Sequence, residues 1–175
     1  MKRFGRKEAS PEKPVRAKRQ SAPIVETVSI DQTSREERMA AIRRAFSRNS
    51  SIAREAAIKE VAAELGYNRV GPKIYNNLDG DIKAASRRGI IDRENGLYSL
   101  DCRSISDYSR DILKDAFLSV LGRTWKDQTC AIRETASYLG FTRTGGNIQD
   151  SLKSAINGLI RQGVIERNGN ELRRT

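Results

Sequence analysis

From Ser34 onward, apolar residues recur at spacings that predict helices, and twice the pattern changes to short strand-like pairs. Ser34 with Glu37 three residues later resembles a capping box, in which the two residues satisfy free N–H groups at a helix start. Met39, Ile42 and Phe46 then mark the buried side of a first helix that should end near residues 47–50. Ala57, Ile58, Val61, Ala62 and Leu65 predict a second helix stopping at Gly66. Ile74, Leu78, Ile82 and Ala85 predict a third, opened by Gly71-Pro72 and stopped by Gly89. Ile90-Ile91-Asp92-Arg93 reads as a strand. Asn95-Gly96 supplies positive φ for a tight hairpin turn, and Leu97–Leu100 forms the returning strand.

The same succession occurs again. Residues 58–93 match residues 132–167 at a constant offset of 74, without a gap, with 14 identities in 36 positions. Ala131, Ile132, Thr135, Ala136 and Leu139 repeat the second helix, ending at Gly140, and Ile148, Leu152, Ile156 and Leu159 repeat the third after Gly145-Gly146. Val164–Arg167, a turn at Asn168-Gly169 and a return over 170–173 repeat the hairpin, and a helix over about 107–121 carries Ile112, Leu113, Phe117 and Leu121 on one face. Two copies of so long a unit predict a tandem pair of small domains, not a solenoid. Each copy reads helix, helix, turn, helix, hairpin, which is the order of a winged helix. The expected class is mainly α with small β-hairpins (α+β): a disordered basic arm over 1–33, a first winged-helix domain over 34–101 and a second over 102–175.

The run Leu-Gly-(Tyr/Phe)-x-Arg-x-Gly-x-x-Ile-x-x-x-Leu-x-x-x-Ile, closing on Arg-(Arg/Gln)-Gly-(Ile/Val)-Ile, resembles bacterial winged helix-turn-helix domains. It is most similar to an uncharacterised winged-helix domain found at the C-terminal ends of helicase-like and nuclease-like proteins. The resemblance covers both copies but not the arm. It implies that 71–88 and 145–162 correspond to recognition helices and that the hairpin tips at 93–96 and 167–170 correspond to wings. The fold serves both DNA recognition and protein docking, so the resemblance alone does not choose between them.

With the apolar stripe of 71–88 turned inward, Lys73, Asn76, Asp79, Gly80, Lys83 and Arg87 face outward, and the second copy exposes Asn147, Asp150, Lys153, Ser154, Asn157 and Arg161. Asn suits an adenine edge, Arg a guanine edge or a phosphate, and Lys a phosphate. An ordinary solvated helix face is the competing reading, favoured by Asp79, Asp81 and Asp150, which repel phosphates. Arg69 and Arg143, in the turn before each third helix, either reach a phosphate or pair with Glu60 and Glu134. Arg93 and Arg167, before each hairpin tip, either lie along the DNA backbone or are plain strand-edge charges. Tyr67, Phe141, Phe46 and Phe117 are expected in the core, and Trp125 is expected to wedge helices or the seam between units. No group of exposed rings suggests a stacking platform for single strands.

Composition then removes alternatives. The 175 residues contain no His, which excludes Ser-His-Asp and Cys-His catalysis and His-ligated zinc. Cys102 and Cys130 stand far apart without CxxC spacing, so two reduced cysteines are expected and no metal or cofactor. There is no phosphate-binding glycine loop and no acidic cluster of the nuclease kind, so no enzyme is expected. Lys+Arg 33 against Asp+Glu 22 gives a net charge of +11, of which residues 1–20 hold eight basic and two acidic residues. A polyanionic partner is implied. The expected function is non-enzymatic binding of double-stranded DNA, as a regulator or a DNA-processing accessory factor. The alternative is a module docking onto a larger DNA-processing protein. No apolar run suggests a membrane span, and a cytoplasmic, nucleoid-associated protein is expected, its oligomeric state left open.

Overall fold

The first helix begins where Ser34 Oγ accepts a hydrogen bond from the Glu37 amide at 3.1 Å, one half of the expected capping box. The computed structural model describes residues 29–48 and 51–175. In chain order it contains α1 (Arg35–Arg48), β1 (Ile52–Ala53), α2 (Arg54–Glu64), α3 (Pro72–Arg87), β2 (Ile91–Glu94) and β3 (Leu97–Leu100). A 3₁₀ turn (Ile105–Asp107) leads to α4 (Arg110–Val120), β4 (Lys126–Asp127), α5 (Gln128–Tyr138), α6 (Gly146–Arg161), β5 (Ile165–Asn168) and β6 (Glu171–Arg174). The architecture is α+β, with two three-stranded antiparallel sheets ordered β1-β3-β2 and β4-β6-β5.

Four helices end in the same way because each is followed by a glycine in the left-handed region. Gly66, Gly89, Gly140 and Gly163 have φ between +67° and +85°. The next amide in each case turns back to a carbonyl five residues earlier: Tyr67 to Ala62, Ile90 to Ala85, Phe141 to Ala136 and Val164 to Leu159, at 2.9–3.1 Å. This closure corrects the expected strand limits. The Ile90 and Val164 amides are already committed to the helix ends, so β2 and β5 begin one residue later, at Ile91 and Ile165.

The second hairpin is corrected in a similar way. Asn95 and Gly96 both have positive φ, as expected for the first turn. In the second copy the two turn residues are Gly169 and Asn170, not Asn168 and Gly169, since Asn168 pairs with Glu171. Glycine at the first central position provides the positive φ there, and Asn170 Nδ2 donates to Asp127, which fixes it as the second turn residue. The returning strand is therefore Glu171–Arg174, and Leu172 is buried.

Two hydrophobic clusters form. One gathers Met39, Ile42, Phe46, Ile58, Val61, Leu78, Ile82 and Ile91, and the other Leu113, Phe117, Ile132, Leu139, Leu152, Ile156, Ile165 and Leu172. Most of the arm expected over 1–33 lies outside the described residues. Of its last part, Ile30 and Thr33 are buried, with Arg38 donating to the carbonyls of both. Packing therefore starts ahead of Ser34. The helix expected over about 107–121 is divided, because Ser104 caps the 3₁₀ turn and Ser109 separately caps α4 by accepting from the Ile112 amide. Tyr67, Phe46 and Phe117 are buried as expected, and Phe141, also expected in the core, is partly buried against the second cluster. Trp125 is not a wedge: it is exposed ahead of the edge strand β4, under the Arg173 guanidinium 4.6 Å from its ring centroid.

The clusters meet in a seam built on the C-terminal end of α5, whose last carbonyls have no partner within the helix. Arg43 of α1 is buried. It donates to Leu139 O from Nε (3.2 Å) and Nη2 (2.9 Å), to Cys102 O (2.6 Å) and to the Tyr108 hydroxyl (2.5 Å), while lying 4.0 Å from the Phe141 ring centroid. Arg88 adds a second clamp, donating to Tyr138 O at 2.8 Å and stacking on the Tyr138 ring. Two cations thus meet the negative end of a helix dipole and two ring faces.

Candidate nucleic-acid interface

The apolar stripes of α3 and α6 bury Leu78, Ile82, Ala85, Leu152, Ile156 and Leu159, which fixes what the opposite faces present. Lys73, Asn76, Lys83, Arg87, Asn147, Lys153, Asn157 and Arg161 are all exposed, as are Arg69 and Arg143 in the preceding turns and Arg93 and Arg167 on the hairpins. The twelve candidates therefore all stand at the surface, but they are not equally free.

On α3 both outward lysines are engaged. Lys73 pairs with Asp31, and Lys83 lies 2.8 Å from Asp79. Arg54, at the start of α2, donates from Nε to the same Asp79 at 2.6 Å. Burial disfavours the Asp79 carboxylate, but the hydrogen bonds and charges of Lys83 and Arg54 outweigh it and hold its pKa below the ordinary value. Asp81 is not outward either: it is buried against α1, 2.5 Å from Arg38 Nε and 3.6 Å from Arg35 Nε. Of the acidic residues set against DNA contact, two are thus neutralised inside the fold, and Asp150 alone of the three is exposed.

Arg87 and Arg161 hold equivalent sequence positions but different surroundings. Arg87 lines a cleft with Ile112, Asp115 and Ser119 of α4 and with Tyr138, because the end of α3 packs against the second cluster. Arg161 Nε donates to the Asn157 carbonyl on its own helix. Arg93 lies over the Tyr98 ring at 5.8 Å. Arg167 Nη2 donates to Gln128 Oε1 at 2.5 Å and its Nε to Gly169 O at 3.1 Å. Neither Arg69 nor Arg143 forms an ion pair among the described residues, and Glu134 is taken by Lys126 at 2.6 Å.

Sequence reading missed Arg54, Gln128 and Arg133. Their signal lay in the offset of 74, which sets Arg54 against Gln128 and Asp79 against Lys153, although those pairs are not identities. Among the described residues no group of three or more Cys, Asp or Glu is placed to hold a metal ion, and no helix is long and apolar enough to cross a membrane. Comparison with protein-family models, with curated proteins and with solved structures finds no match to this chain.

Proposed function

We propose that the chain is a tandem pair of winged-helix units that binds double-stranded DNA without catalysing a reaction, with α3 and α6 as recognition helices and the two hairpins as wings. The edge-strand order of both sheets and the placement of each long helix ahead of its hairpin support the fold reading. One observation carries the choice of partner. The outward faces of α3 and α6 are polar, and the exposed large hydrophobic residues among the described ones are Leu97 and Trp125, on neither helix. A docking surface for a protein needs buried aromatic or aliphatic anchors at its centre, whereas a phosphate backbone is met by exposed cations and amides.

Arg69, Arg87, Arg93, Arg143, Lys153, Arg161 and Arg167 then supply the phosphate contacts, and about five to seven neutralised phosphates give a slope of log affinity against log salt near −5 to −6. Fluorescence anisotropy with a duplex of random sequence between about 50 and 200 mM salt measures it. Affinity that hardly changes over that range would sink the reading. Retained capture of a partner protein, with loss of that capture in Arg161→Ala, would replace it with the docking module.

A further inference from the structure

The two copies surround the same groove with different chemistry. In the second copy a cleft of about 400 Å³ lies between the start of α5, the turn into α6 with its first turns, and the tip of the β5–β6 hairpin. Its charged lining residues are Arg133 and Lys153; both are exposed, neither is in an ion pair among the described residues, and no carboxylate lines the cleft. Gln128, also in the wall, accepts from Arg167 and so holds that hairpin cation beside the rim. The nearby Asp127 is occupied, capping α5 through the Cys130 amide (2.9 Å) and accepting from Asn170. The Cys130 bond, foremost, holds its pKa below the ordinary value.

In the first copy the 74-residue offset puts Arg54 in place of Gln128, Glu55 in place of Thr129, Tyr75 in place of Gln149 and Asp79 in place of Lys153. Of the two lining cations, Arg133 alone has a like equivalent, Lys59. Asp79 is bridged from both sides by Arg54 and Lys83, and Tyr75 packs on the core. A phosphate entering there would meet a carboxylate where the second copy offers an ammonium group. Among the described residues, the groove of the second copy offers two unpaired positive charges, whereas in that of the first Lys59 alone is unpaired and Arg54 is bound to Asp79.

We propose that the α5–α6–hairpin groove of the second copy is the phosphodiester-binding anchor on duplex DNA, through Lys153 and Arg133, and that the corresponding groove of the first copy does not take a phosphate. This inference rests on the duplex-binding reading above. Charge-assisted bonds from an ammonium and a guanidinium to phosphate oxygens position the backbone without reading bases. The first unit then adds contacts through its helix face and wing to a complex already anchored by the second.

The test uses the full chain and a labelled duplex of about 20 base pairs, with thermal melts to confirm that each variant is folded. Lys153→Asp, which installs the first copy's residue, weakens binding at least about tenfold, and Lys153→Gln weakens it about threefold and makes the salt slope shallower by about one. Lys59→Ala stays within about twofold of the wild type. The exchange Arg54→Gln with Asp79→Lys, which gives the first groove the second copy's pair, tightens binding about threefold or more. Equal losses for Lys59→Ala and Lys153→Gln, or no loss for Lys153→Asp, would overturn the inference while leaving the duplex reading intact. A wild-type chain that does not bind duplex DNA would overturn both, and tighter binding to duplex RNA of the same length would overturn the DNA assignment.

Discussion

Gly66 and Gly140 are a matched pair in which one substitution probes the seam and the other serves as its control. Both follow a helix, and both have left-handed backbones, with φ of +85° and +78°. Alanine at either position bears the same conformational cost, about 1–2 kcal/mol. Around Gly66 a Cβ would meet nothing within 4 Å, whereas at Gly140 it would lie 2.8 Å from Met39 O and 3.1 Å from Met39 C. Those are backbone atoms of α1, which cannot rotate aside, so α1 must move off the end of α5. That movement lengthens the bonds from Arg43 to Leu139 O, the carbonyl immediately before the glycine. Overpacking of this kind adds about 1–3 kcal/mol. Gly66→Ala is therefore expected to cost about 1–2 kcal/mol and Gly140→Ala about 2–5 kcal/mol. Urea unfolding followed by circular dichroism and by the fluorescence of the single Trp125 measures both. Equal losses in the two variants would refute the close approach of α1 to α5.

Two further outcomes follow from the same seam. Arg43→Leu leaves Leu139 O and Cys102 O without their donor and is expected to cost about 3 kcal/mol, while Arg44→Leu, which breaks a partly exposed pair with Glu64, costs under about 1 kcal/mol; chemical denaturation of the two variants compares them. Burial, chiefly, pushes the Cys102 thiol up to about 11, so it stays protonated and unreactive at pH 8, whereas Cys130 is exposed. A thiol-reactive chromophore should therefore label one cysteine in the native chain and two after denaturation, and rapid labelling of both in the native chain would contradict the burial of Cys102.

Much of the helical framework was legible because it is written in periodic apolar residues and in glycines that have no substitute at positive φ. Met39, Ile42 and Phe46, or Leu152, Ile156 and Leu159, could hardly be placed otherwise, and the offset of 74 allowed each copy to support the reading of the other. The strands β1 and β4 were not legible, since two-residue strands carry no period and exist only by pairing with Tyr98 and Leu97, or with Leu172 and Glu171. The second hairpin turn was misplaced because Asn168-Gly169 resembles a turn dipeptide while the strand register is decided by longer-range bonds to Asp127 and Gln128. The exposure of the eight candidates on α3 and α6 followed from the helical wheel, but the availability of the twelve did not. Whether a lysine is free depends on acids distant in sequence, such as Asp31 for Lys73, and periodicity carries no information about them. Arg43 was equally hidden: beside Ile42 it reads as a solvated charge, and only the neighbouring unit makes it a buried one.

The differences between the copies have a physical order. Ten of the 14 identities are glycines or apolar residues, which any copy of the unit must keep in order to fold, and the other four are exposed charges, Glu60, Arg69, Arg87 and Arg93 with their counterparts. The seam, by contrast, needs its residues once. Arg88 clamps Tyr138 O, whereas the equivalent position in the second copy is Gln162; Gly140 receives α1, and its counterpart Gly66 faces open space. The contact is therefore heterologous, one surface of the first unit against a different surface of the second. A two-fold pair would have held both grooves to the same chemistry, since each residue change would appear twice. A one-way seam within a single chain lifts that constraint. It permits the first groove to close on its own Arg54–Asp79–Lys83 bridge while Arg133 and Lys153 stay unpaired in the second.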